Sequence, residues 1–206
     1  IGSREVSSLL GEGLRKLEYR GYDSAGIATI ENSNNDQFGE LNIRKSQGKL
    51  INLANLIKKN PPQGYVGIGH TRWATHGKPS ETNAHPHVDY SGQIAVVQNG
   101  IIENHRALSK TLQLKGIKFV SETDTEIIPH LISLEIEHSL DNGMSPNGQT
   151  LLIAVQKVLS VLEGTYAISV IWSKAPNALV VARRHAPLVL GFGEGEFFCA
   201  SDTPAL

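Results

Sequence analysis

A single cysteine, Cys199, stands in 206 residues. No intramolecular disulfide can form, and a reducing, cytoplasmic setting is expected. Net charge is nearly nil, with 19 Lys and Arg against 20 Asp and Glu giving −1. There is thus no chain-wide attraction to nucleic acid or to an anionic membrane, and neither is expected as a partner. Long apolar runs are missing too, and none approaches the ~20 residues of a membrane span. No charged-then-apolar leader opens the chain. Its first residue is Ile1 rather than Met, which reads as an arbitrary starting point. Internal repeats, low-complexity stretches and a strong dividing linker are also absent. Apolar residues still make up 40%, enough to bury a core in a chain of this length.

Periodicity supplies the elements. Val6, Leu9, Leu10, Leu14 and Leu17 follow helical spacing behind Ser3 and Glu5. Residues 20–24 have turn chemistry, 25–30 read as a buried strand, 31–40 as an Asn-rich hairpin tip and 41–45 as a half-buried strand. A short helix over 50–57 stops at Pro61-Pro62, and strands are expected at 66–71 and 94–98. Asn99-Gly100, followed by Ile101-Ile102, is the strongest hairpin signal in the chain. Helices are expected over 104–114, 124–139 and 150–162, with a Gly/Asn/Pro loop at 141–149. Strands follow at 166–172, 178–182, 188–190 and 197–200. Strand blocks at both ends with paired helices between them predict a layered α+β domain rather than regular βαβ alternation.

Between the strands at 66–71 and 94–98 lies a polar stretch holding four of the eight histidines: His70, His76, His85 and His87. A long loop held by core strands is a common place for chemistry. Imidazoles suit zinc, but the spacing matches no standard ligand pair and no cysteine is near. A structural histidine network is the favoured reading, and no metal is expected. Arg72, at the mouth of a strand, can clamp a carboxylate through two parallel bonds, or can be a salt-bridged arginine stacked on Trp73. Asn99-Gly100 is either a plain turn or a pair of donors, the Asn99 amide and the Gly100 N–H, aimed at an oxyanion. Ser121-Glu122-Thr123-Asp124-Thr125 suits a helix cap, and Asp124 could equally accept from an ammonium group. Cys199 follows two phenylalanines and reads as an inert, buried thiol.

Together these segments resemble a known family. Leu17-Glu18-Tyr19-Arg20-Gly21-Tyr22-Asp23-Ser24-Ala25-Gly26 is similar to a signature of the glutamine–fructose-6-phosphate aminotransferases (glucosamine-6-phosphate synthases). The same holds for residues 69–77, for Asn83-Ala84-His85-Pro86-His87, for Asn99 to Asn104, for Ser121 to Thr125 and for Ala200-Ser201-Asp202. Amidophosphoribosyltransferase, another class II amidotransferase, shares the plan but differs over Arg72 to His76.

The resemblance implies a glutaminase domain over 1–206 with the four-layer α-β-β-α sandwich of N-terminal-nucleophile hydrolases. It implies glutamine as substrate and no cofactor. Sugar-phosphate isomerase domains, in a homodimeric parent enzyme, would be the partners. It pairs Arg72 with the glutamine α-carboxylate, and Asp124 and the Gly100 carbonyl with the α-ammonium. Asn99 and the Gly100 N–H become the oxyanion hole, with Trp73, Thr75 and His76 shaping the pocket. Arg20 is expected near the closing loops. The family nucleophile is an N-terminal cysteine in a run like Cys-Gly-Ile-Val-Gly-Tyr-Ile, whose last residue corresponds to Ile1. The chain as written is therefore expected to be inert. A non-catalytic glutamine or glutamate binder and a loop-histidine metallohydrolase are the rival classes.

Overall fold

Alternation along the strands decides the layering, because successive side chains of a strand point to opposite faces. The computed structural model describes residues 1–21, 23–32 and 38–206. Strand β1 (Ser24–Asn32) turns Ala25 and Ile27 toward Leu14 of helix α1 (Val6–Leu17) and Leu50 and Leu53 of α2 (Leu50–Lys59). Its other face, Ala28 and Ile30, joins Val66 and Ile68 of β3 (Val66–Arg72). Across that face stand Ala95 and Val97 of β5 (Ile94–Ile102) and Ile171 of β6 (Gly164–Trp172). The far side of β5 and β6 presents Ile94, Val96, Ile168, Val170 and Trp172. These pack on Ile128 and Ile132 of α4 (Ile127–Asp141) and Leu151 and Val155 of α5 (Gly148–Leu159). The result is helices, sheet, sheet, helices: the expected four layers.

Both sheets are antiparallel. The first runs β2 (Gly39–Gln47), β1, β3, and the second β4 (His87–Val88), β5, β6, β7 (Val180–Arg184). A separate hairpin pairs β8 (Val189–Gly193) with β9 (Glu196–Ala200). Helix α3 (His105–Leu114) buries Leu112 in the core shared with α4 and α5. The hairpin tip expected at 31–40 falls partly outside the described residues, at 33–37; its flanks pair as β1 and β2.

Asn99-Gly100 is not a turn. β5 runs straight through it, with Asn99 opposite Ala167 and Gly100 opposite Tyr166 of β6. A nine-residue partner strand and full burial of Ile102 outweigh the local turn preference. The chain leaves the strand only after Ile102. Gly100 keeps a positive φ of 121° inside the strand, and a Cβ there would stand 2.0 Å from the Thr165 carbonyl oxygen. Glycine is required for both reasons. The helix expected from 124 also starts later, at Ile127, because Asp124 and Glu126 spend their carboxylates on other backbone groups. The two-residue β4 had no periodic signal to betray it.

Candidate functional site

Hydrogen-bond direction along β5 builds the site. In an antiparallel pair, alternate residues exchange both backbone bonds with the partner, and the others face the opposite edge. Glu103 N–H donates to Glu163 O in line with β6, which assigns the odd-numbered residues to that side. The even ones face away. Ile94 N–H donates to Asp89 Oδ1, Gln98 N–H to His85 Nδ1 and Ile102 N–H to Asp124 Oδ2. β4 covers this edge only near Ala95 and Val96. By the same alternation Gly100 presents its N–H and C=O on this edge, between the Gln98 and Ile102 bonds.

That edge borders a cleft of about 640 Å³ whose lining includes Arg72, Trp73, Thr75, His76, Asn99, Gly100 and Asp124. All seven sequence-predicted site residues therefore line the same cleft. Arg72 ends β3 and is 4% exposed. Its Nη2 donates to the His76 carbonyl and, at 3.0 Å, to the Gly77 carbonyl. Its Nη1 is buried and has no hydrogen-bond partner among the described residues. Burial pulls the Arg72 pKa down, and Asp23 and Asp124 oppose that pull. Asp124 spends Oδ2 on Ile102 N–H at 2.7 Å, while Oδ1 stands 3.9 Å from His76 Nδ1. His76 is half-buried and meets His105 edge-to-face at 5.1 Å. Trp73 and Thr75 are exposed at the rim. The cleft thus offers an unspent cationic donor, a half-spent carboxylate, and the Asn99 amide beside a glycine N–H.

The loop is held from behind. Asp23 accepts from Ala74 N–H at 2.6 Å. Asn83 donates to Lys78 O and accepts from Glu122 N–H. Glu126 receives Val120 N–H, Ser121 N–H and the Ser121 hydroxyl, with His130 Nε2 at 3.6 Å. Burial works against the Glu126 charge, but these partners outweigh it and bring its pKa to about 2. His70 stacks on His85 at 4.3 Å, and His85 meets His87 edge-to-face at 4.8 Å. Burial above all depresses them, His70 to about 4, His87 to about 3, and His85 well below its ordinary value. These three form a histidine network of the kind the sequence suggested, while His76, expected with them, packs against His105 instead. Among the described residues no group of three or more His, Cys, Asp or Glu is placed to hold a metal.

Arg20 borders the same cleft and donates to Ser201 O and Oγ at 3.3 Å. Cys199 lies there too, its Sγ 3.7 Å from Ser169 Oγ, with burial raising its pKa. A thiol held protonated in this way is a poor nucleophile. Gln98 and Glu126 are the site's supporting residues that sequence reasoning missed, whereas Thr125 was named only as part of the Ser121 to Thr125 run. Gln98 and Glu126 adjoin singled-out residues, and that adjacency was their only signal.

Residues 70–206 match the family model described as "Glutamine amidotransferase domain". The chain belongs to that family, and its fold is the α-β-β-α sandwich of the N-terminal-nucleophile hydrolase type. Among individual proteins it is similar to glutamine–fructose-6-phosphate aminotransferase [isomerizing] of Thermosynechococcus vestitus, with 53% identity over 206 residues. The enzymes of the same name from Nostoc sp. and Clostridium acetobutylicum are 51% and 49% identical. In each case the match takes in 100% of this chain and 31% of the relative, so the chain spans about a third of their length. Among solved structures, glutamine phosphoribosylpyrophosphate amidotransferase from B. subtilis, complexed with ADP and GMP, superposes with a TM-score of 0.78 at 26% identity. That likeness covers 99% of this chain and 41% of the other.

Proposed function

We propose that this chain is the glutamine-hydrolysing part of a glutamine–fructose-6-phosphate aminotransferase. What supports it is that one cleft is lined by a cationic donor, a carboxylate and an amide next to a glycine, a set that complements the polar groups of glutamine. Arg72 Nη1 takes the α-carboxylate. Asp124 Oδ1 and the Gly100 carbonyl take the α-ammonium. The Asn99 amide and the Gly100 N–H receive the side-chain carbonyl oxygen as it becomes an oxyanion. Trp73, Thr75 and His76 wall the pocket.

The nucleophile in this reading is a cysteine that precedes Ile1 in the full polypeptide, with its own α-amino group as base. The path of the first residues supports it. Ile1 exchanges backbone bonds with Phe197 of β9 at 2.9 and 3.1 Å, and Gly2 N–H reaches Tyr65 O at the head of β3. Chain upstream of Ile1, continuing that antiparallel pairing, runs past Cys199 and Ser201, both on the cleft. Six extended residues cover about 20 Å.

The thiolate adds to the carboxamide carbon, and its former proton goes through the amine to the departing nitrogen. Ammonia leaves a γ-glutamyl thioester, which water then cleaves to glutamate. The ammonia passes to fructose 6-phosphate in companion domains of the same polypeptide. No metal or organic cofactor enters this scheme.

Arg72→Ala against Lys78→Ala in the full-length protein tests it. Lys78 is exposed in the same loop. A lost charge-assisted bond costs about 1.5–3 kcal/mol, so KM for glutamine should rise roughly 10- to 100-fold in Arg72→Ala. It should stay near the parent value in Lys78→Ala. Equal KM values for the two variants would remove Arg72 from the site.

A further inference from the structure

At the wall of the cleft, which Gln98 and His85 help to line, three hydrogen bonds close into a ring. The Gln98 N–H donates to His85 Nδ1 at 3.2 Å. A backbone N–H can only donate, so Nδ1 is the acceptor and the imidazole proton sits on Nε2. Nε2 faces Thr125 Oγ1 at 3.4 Å, and the Thr125 hydroxyl donates to Gln98 Oε1 at 2.6 Å. Donation thus runs one way around the ring. All three residues are buried, Thr125 completely. Burial, then His70, His87, Arg72 and Lys45, hold His85 neutral, which its acceptor role demands.

The ring's members adjoin the ligand positions. Gln98 immediately precedes Asn99 and Gly100, and Thr125 follows Asp124. On the other side of Gly100, Ile102 N–H is bonded to Asp124. The Gly100 N–H is thus bracketed on one strand edge by two cross-links that end in adjacent residues of the same loop, Asp124 and Thr125. We propose that the Gln98–His85–Thr125 ring is a positioning device for glutamine hydrolysis. It fixes the span between the oxyanion donors on β5 and the ammonium acceptor Asp124.

This rests on the glutamine reading above. In glutamine that span is set by covalent bonds, so the protein must match it. Relaxing the ring lets the strand edge and the loop drift apart. A displacement on the order of 1 Å can cost up to about 100-fold in a reacting step. Arg72 lies outside the ring and still holds the carboxylate, so binding is affected less than turnover.

Thr125→Val keeps the shape and removes the hydroxyl, Gln98→Met removes the amide at similar length, and Thr125→Ser restores the hydroxyl. Ammonia release from glutamine is measured in the full-length protein, with melting curves alongside. The expected result is a kcat lower by about tenfold or more in Thr125→Val and Gln98→Met, with KM changed less than about threefold. Thr125→Ser should stay within about threefold of the parent. The double variant Thr125→Val/Gln98→Met should be no worse than the poorer single one, because both break one unit.

Parent-like kcat in folded Thr125→Val and Gln98→Met would overturn the proposal. So would a Ser variant as impaired as Val, or loss of folding in both ring-breaking variants, which would make the ring a stability feature. A parent protein that releases no ammonia from glutamine fails the glutamine reading itself, and the ring's role falls with it.

Discussion

Asn99 and Gly100 show how one dipeptide can mislead and inform together. The pair reads as a turn, yet it lies inside a strand that β6 pairs both before and after it. Its second reading, as two donors, agrees with the edge geometry, because Gly100 points its N–H away from β6. In the proposed reaction Asn99 donates to an oxygen that turns negative only during attack. Its contribution is therefore larger in the transition state than in the ground state. Asn99→Ala in the full-length protein should lower kcat on the order of 10²–10³-fold while glutamate affinity stays nearly unchanged. The strand should persist, since its ladder is backbone. Glutamate titration alongside turnover checks this; a joint collapse would make Asn99 structural. Arg72 and Asp124 were legible as single residues because their charges invite a role. Their unspent atoms, Nη1 and Oδ1, were not, since those depend on which backbone groups the fold brings to Nη2 and Oδ2.

At the level of elements, the stretch from His70 in β3 through His85 to His87 in β4 responds to pH through its histidines. Its buried histidines are neutral in the fold, with pKa values pushed below the ordinary 6.5. The unfolded chain therefore takes up protons first as pH falls. The histidine contribution is complete above about pH 6.5 and is lost as pH drops toward 4 and then 3. Each such group removes up to about 1.4 kcal/mol per pH unit in that window. The Glu126 carboxylate, lowered to about 2, starts to add its own loss only below its unfolded value of 4.5. Urea unfolding at pH 7, 6 and 5 should show a midpoint that falls progressively; a constant midpoint would contradict neutral burial. Helices α1, α2, α3 and α5 and the strands at 25–30, 66–71 and 166–172 were readable because their apolar periods are long and regular. β4, with two residues, has no period to read. The start of α4 was misplaced because the polar run before it looks like a cap, while its carboxylates serve a strand edge and a loop.

Across the whole molecule, two antiparallel sheets stacked face to face set β3 over β5, and the cleft opens near their ends. Strand blocks in the sequence pointed to layers. They did not give the pairing, which depends on contacts between residues far apart, such as Gly100 with Tyr166. The resemblance supplied the four-layer order, and the alternation of buried residues explains it. The central claim is that this cleft is a glutamine site completed by a nucleophile upstream of Ile1. The most direct measurement is peptide mapping by mass spectrometry after treating the full-length protein with a glutamine analogue that carries an electrophilic carbon in place of its amide. The account predicts one adduct, on a cysteine preceding Ile1, lost in Arg72→Ala at the same analogue concentration. An adduct on Cys199, or no adduct at all in the folded parent protein, would contradict it.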